Sequence, residues 1–131
     1  MLPAIILKVA SAKKKNSDQI TLWGDGSPTR DFLFVDDAAD GIILAAQKYD
    51  HNTPINLGAE YEISINDLAE KISKIMSYEG SIIWDKSKPN GQPRRCVSNK
   101  MAKEKIGFKP KTSLEDGLKK VISWFELQNF C

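Results

Sequence analysis

"LWGDGSPTRDFLFVDD" (residues 22–37) decides how this chain is read. An apolar run, "QITLW" (19–23), stops at a turn built from two glycines and a proline. A second short apolar run, "DFLFV" (31–35), resumes beyond it. Gly and Pro punctuate a chain in this way where one strand ends and the next begins, so both runs read as strands. The junction also gathers uncommon residues: Trp23 at a strand end and Arg30 alone before an apolar run. Asp36 or Asp37 is placed to cap a following helix, whose inner face would be Ile42, Ile43 and Ala46.

Working outward, Leu2, Ile5, Ile6 and Val9 recur at helical spacing, so residues 3–14 read as a helix with one buried face. Pro3 suits its first turn, and Lys13, Lys14 and Lys15 complement the dipole at its end. On the other side, "PINLG" (54–58) reads as a short buried strand closed by Gly58. Ser64 and Asp67 then open the clearest helix, with Ile65, Leu68, Ala69, Ile72, Ile75 and Met76 on one face. "SIIWD" (81–85) reads as a strand, followed by a polar loop from Lys86 to about Arg95 and a short helix near 99–105. A last helix opens at Thr112 or Ser113 and buries Leu114, Leu118, Val121, Ile122 and Phe125. The order is α, β, β, α, β, α, β, α, α, an α/β fold read as a single domain over 1–131 without repeats or low-complexity tracts.

Composition narrows the function. The chain has 131 residues, 19 basic and 17 acidic, for a net charge of +2. Nucleic-acid binders normally carry a larger basic excess, so that class is disfavoured. The longest apolar run is far short of the ~20 residues of a membrane span, and the charge order of the first residues is not that of a secretory signal. Cys96 and Cys131 read as free thiols, which places the chain in a reducing cytoplasm. His51, the single histidine, lies in the polar "YDHNTP" loop, which disfavours a metal site or a triad built on it.

Two features carry candidate chemistry. A planar guanidinium such as Arg30 grips a phosphate with two parallel hydrogen bonds, but an arginine there equally pairs with Asp31 or Asp36 on the surface. The loop "WDKSKPNGQPRR" (84–95) holds Lys86, Lys88, Arg94 and Arg95, stiffened by two prolines and a glycine. It suits a diphosphate, and equally a solvated connection. No Gly-rich dinucleotide turn, no Walker A loop and no tyrosine four residues before a lysine occur.

Together, "LWGDGSPTRDFLFVDDAADGI", "INLGAEYEISINDLAEKI", "SIIWDKSKPNGQPRR" and "IGFKPKTSLEDGLKKVISWF" resemble the C-terminal part of extended short-chain dehydrogenases of the NAD-dependent epimerase/dehydratase family. Within it the resemblance runs most to the GDP-L-fucose synthase group. It covers residues 2–125. Asn90 stands where that group has aspartate, and Arg95 where it has lysine.

The resemblance implies a Rossmann-type fold. Its substrate-binding subdomain and the last elements of its main sheet are expected, without the N-terminal dinucleotide-binding half. It implies that Lys8, Trp23, Arg30 and Lys88, with Arg94 as a further candidate, contact a nucleotide sugar, GDP-linked in the first instance. NADP(H) is implied for the complete enzyme and no cofactor for this chain, which is expected to be inactive alone because the catalytic Ser, Tyr and Lys belong to the other half. A face left uncovered would favour self-association. The alternatives are another epimerase or dehydratase acting on UDP- or dTDP-sugars, and a non-catalytic module that pairs with a separate Rossmann subunit.

Overall fold

The computed structural model describes residues 1–128; Cys131 lies outside them. Helix α1 (Leu2–Lys14), with Pro3 in its first turn, buries Ile5, Ile6 and Val9 as its spacing predicts and Ala12 besides, while Leu2 is half-buried. Lys13 at its end donates to the Met76 carbonyl. Strand β1 (Gln19–Trp23) comes next, and its alternation buries Ile20 and Leu22.

Strand β2 is Thr29–Asp31, not "DFLFV". The strand ends at Asp31 because its partners do. It pairs antiparallel with β3 (Glu62–Ser64) and parallel with β5 (Arg94–Arg95), and among the described residues no strand continues beside Phe32–Phe34. Those three residues pack by side chain instead. Phe32 lies against the main core, Leu33 against a smaller cluster, and Phe34 beneath the Lys120 ammonium.

Helix α2 (Val35–Lys48) departs from expectation in two ways. Its N-cap is Phe34, and Asp36 and Asp37 lie in the first turn, where they complement the dipole without capping. Asp37 is buried and accepts from the Thr112 backbone N–H at 2.9 Å. Burial pushes its carboxyl up, but the hydrogen bonds from Thr112 and Lys111 and the Lys111 charge outweigh this, leaving it below the usual range. Its contribution to stability is therefore present above the ordinary carboxylate pKa and is lost as pH falls through the lowered one. The second departure is the inner face, which is Asp37, Gly41, Leu44 and Ala45, whereas Val35, Ile42, Ile43 and Ala46 face outward. A helix turns ~100° per residue, so apolar residues at 41, 44 and 45 and at 42, 43 and 46 form two opposed faces. Phe108 and Leu57 pack against the first, so closely that a Cβ on Gly41 would come within 2.8 Å of each.

"PINLG" forms no strand. Among the described residues no neighbouring strand pairs with it, and its backbone is satisfied by a side chain. The buried Asn99 carboxamide accepts from Gly58 N–H and donates to Gly58 C=O, both at 2.6 Å. Asn99 thus ends as the N-cap residue of α4 (Lys100–Ile106) with its side chain spent elsewhere.

Helix α3 (Ile65–Ile75) is the one the sequence states most clearly. Ser64 caps it by accepting from Asp67 N–H, and Ile65, Leu68, Ala69 and Ile72 are buried. Strand β4 (Ser81–Asp85) pairs parallel with β1, Trp23 opposite Asp85. Helix α5 (Leu114–Leu127), capped by Ser113, sends Leu118 and Ile122 into the core. The core is one cluster between α1, α3, α5 and β1, with a satellite around Phe108.

Asn99→Ala leaves both Gly58 groups buried without partners, each costing about 1–3 kcal/mol. A loss of unfolding free energy of roughly 2–6 kcal/mol by urea titration is expected; a change under about 0.5 kcal/mol, as at ordinary surface sites, would show that Gly58 finds other partners.

Candidate functional site

The turn after β1 is where the elements converge. Gly24 and Gly26 both hold positive φ, at 83° and 77°. Each also marks a close approach. A Cβ on Gly24 would sit 2.0 Å from Asn90 Oδ1, and one on Gly26 would sit 2.6 Å from the Trp84 ring. Both glycines are thus required twice over, by conformation and by space. The turn also receives α3: Ile65 N–H donates to Pro28 C=O and Asn66 N–H to Gly26 C=O, each at 2.9 Å. With Ser64 on Asp67 N–H, these bonds satisfy donors that the first turn of a helix leaves free.

Between this turn, α1 and the loop after β4 lies a cavity of about 370 Å³. Its walls are mainly apolar: Ala4 and Ile5 from α1, Leu22 from β1, Pro28, Ile65 and Trp84. Trp84 is held in place by its Nε1, which donates to Asn66 Oδ1 at 3.2 Å. Lys8, Trp23, Pro89 and Asn90 also line it. Size and lining are those of a small-molecule site, with apolar walls and few polar groups.

The sequence candidates divide. Lys8 and Trp23 line the cavity, Lys8 with its Nζ on the Thr21 carbonyl at 2.5 Å. Trp23 is 65% exposed, which is unusual for so large an apolar surface. Lys88 stands over its ring, Nζ 5.8 Å from the centroid. Arg30 lies on β2 outside the lining. Its guanidinium donates to Thr29 C=O at 2.6 Å and to Gln92 C=O at 2.8 Å, which braces the base of the basic loop. Arg94 makes a two-pronged ion pair with Glu62, Nε to Oε1 at 2.9 Å and Nη2 to Oε2 at 2.8 Å, beside a separate polar cleft. The Arg94 guanidinium and the Thr29 hydroxyl together hold the Glu62 carboxyl below its usual range.

Trp84, Asn66 and Asn90 join the site without being sequence candidates. By pattern Trp84 is only a strand residue, and Asn90 only a substitution. The pair of glycines is the available signal, since each is explained by what packs against it. His51 is exposed, its ring 5.1 Å from that of Tyr49, and Cys96 is a half-buried free thiol. Among the described residues no three His, Cys, Asp or Glu side chains cluster to hold a metal, and no helix is long and apolar enough to cross a membrane.

Comparison with known proteins gives a consistent answer. The profile of the NAD dependent epimerase/dehydratase family matches residues 1–58. The chain is 40% identical over 125 residues to GDP-L-fucose synthase of Sinorhizobium fredii, covering 95% of this chain and 40% of that protein. It is 38% identical over 132 residues to GDP-L-fucose synthase 1 of Arabidopsis thaliana, covering 100% of this chain and 40% of that one. In three dimensions it matches a GDP-L-fucose synthetase from Naegleria fowleri with a TM-score of 0.88 and 29% identity, over 98% of this chain and 40% of that chain. A second structure of that synthetase is bound to NADP. The chain thus spans about 40% of the length of the curated relatives it matches.

Proposed function

From the premise that this chain belongs to the NAD-dependent epimerase/dehydratase family, we propose that it is the nucleotide-sugar-binding portion of a GDP-L-fucose synthase-like epimerase-reductase, with a GDP-linked sugar as its ligand. The observation that carries this reading is the apolar cavity with Lys8 in its wall and Lys88 above Trp23 at its edge. An apolar slot suits a planar base, and ammonium groups beside it suit a diphosphate. Arg30 contributes from the base of the basic loop, where it would turn from the Gln92 carbonyl toward the ligand. Arg94 is the most committed of the cations, because Glu62 already neutralises it.

The complete enzyme would shift protons at two sugar carbons and then deliver hydride to a keto group, which requires a tuned acid/base pair and NADP(H). The residues present do not fit that cofactor. A dinucleotide site uses a glycine turn that runs from a strand into a helix. Here the glycine turn after β1 leads into another strand and is filled by Asn90 and Trp84. We therefore assign this chain ligand binding without turnover.

Association belongs to the same reading. A helix apolar on two opposed faces is a helix meant to be covered on both. Val35, Ile42 and Ile43 of α2 are 55–68% exposed, and self-association through them is expected. Light scattering at ~10–100 μM, a range that detects even weak contacts, should show a dimer or larger species that reverts to monomer in Ile42→Lys/Ile43→Lys. A monomer throughout would remove the proposal.

The binding claim is tested by titrating the chain with GDP-L-fucose, GDP, UDP-glucose and NADPH, followed by tryptophan fluorescence and calorimetry. Saturable binding of the GDP-sugar at ~1 mM or tighter, about −4 kcal/mol, is expected. Lys8→Ala and Lys88→Ala should each weaken it, and NADPH should not bind. Binding of NADPH in place of the sugar would overturn the assignment.

A further inference from the structure

The loop that carries Lys88 is tied to the rest of the molecule at few points. Lys88 N–H donates to Asp85 C=O at 3.1 Å, next to the strand it leaves. At its far end Gln92 C=O receives Arg30, and Pro93 C=O receives Thr29 N–H at 2.9 Å. Between these anchors the tether is Asn90, whose Oδ1 accepts from Asp25 N–H at 2.8 Å. That contact is built into the backbone opposite. Gly24 lies under Asn90 so tightly that no Cβ fits there.

The Asp25 side chain turns instead onto its own loop. Its Oδ1 accepts from Ser27 N–H at 2.9 Å and from Ser27 Oγ at 2.6 Å. The Ser27 bonds, and after them the Asn90 side chain, hold its carboxyl down at about 2. Asn90 Oδ1 thus accepts from the main chain of Asp25, and its neutral carboxamide stands beside the residue that carries the Asp25 carboxylate. A carboxamide there is neutral, whereas an ionised carboxylate in its place would still accept from Asp25 N–H but would stand charge to charge beside the Asp25 carboxylate.

We propose that Asn90 and Asp25 form a matched polar clasp that holds the basic loop closed over the cavity, making Asn90 a positioning residue for Lys88. The clasp fixes the loop midway between its anchors. Lys88, two residues away, is thereby kept above Trp23, and Pro89 and Asn90 become cavity wall. The Asn90→Asp substitution opens the loop, because the same geometry would put two carboxylates together. Exchanging the groups in Asp25→Asn/Asn90→Asp leaves one neutral amide beside one carboxylate, keeps an acceptor at position 90 for the main chain of residue 25, and closes the loop again.

For its ligand arm the clasp rests on the nucleotide-sugar reading above; for its structural arm it does not. Proton NMR of the ligand-free chain reads the loop directly, because the Lys88 ε-methylene, bonded to an Nζ that stands 5.8 Å over the Trp23 ring, is expected to be shifted upfield by its ring current. The shift is expected in the natural chain, lost in Asn90→Asp and in Asn90→Ala, and recovered in Asp25→Asn/Asn90→Asp. Affinity for GDP-L-fucose should change in the same order, about tenfold weaker in Asn90→Asp and regained in the exchanged pair. An upfield shift that survives Asn90→Asp, or is not recovered in the exchanged pair while the fold is intact by circular dichroism, would overturn the clasp. Ring-current shifts in the expected order without binding of any GDP-sugar would uphold the clasp and defeat the ligand assignment.

Discussion

The parallel pairing of β1 with β4, Trp23 opposite Asp85, is the constraint on which the rest of the site depends. Two parallel strands end at the same level and on the same side, so the segments that leave them must share one space. The glycine turn leaves β1, and the basic loop leaves β4. Gly24 N–H and Lys88 N–H both donate to Asp85 C=O, which lashes the two exits together at their roots. A one-residue slip would send Trp84 to the other face and empty the space above Gly26.

That pairing also explains why the turn can be so open and yet so defined. Asp25, Gly26 and Ser27 have no strand partners among the described residues, but the first N–H groups of α3 bond the carbonyls of Gly26 and Pro28. The turn serves as an acceptor cap for a helix, and the helix in return fixes the turn. Ile65 and Trp84 then close the apolar slot from beneath, so helix start, cavity floor and indole position are set by a single junction. Lys8 stands in the wall of the slot and Lys88 above Trp23 at its edge.

Most of the helices are legible in the sequence, and little of the site is. Helices α1, α3 and α5 stand out because their apolar residues recur at helical spacing and serines mark two of their starts. Strands β1 and β4 stand out as apolar runs between turn residues. Strand β3 and the true position of β2 do not, since three-residue strands are defined by their partners and not by their own pattern. "PINLG" misleads for the opposite reason: it has the composition of a strand, but a side chain, Asn99, serves its backbone. The inner face of α2 is not readable because the helix is apolar on two sides, and spacing alone does not say which one is covered here. At the site, the family resemblance points to Lys8, Trp23, Arg30, Lys88 and Arg94, of which Lys8 and Trp23 line the cavity, Lys88 stands over Trp23, and Arg30 and Arg94 lie outside the lining. Trp84 and Asn90 are visible only as the absent side chains of Gly26 and Gly24.

The central claim is that the glycine turn and the basic loop form one closed unit over an apolar slot. A proton NOE spectrum of the ligand-free chain tests it most directly. Contacts are predicted from the Trp84 indole to the Gly26 α-protons and from the Asn90 side-chain amide to the Asp25 amide proton, matching the approaches seen at both glycines. Absence of both sets in a chain whose β1–β4 contacts are intact would mean that the loop lies open and that the slot does not exist before a ligand arrives.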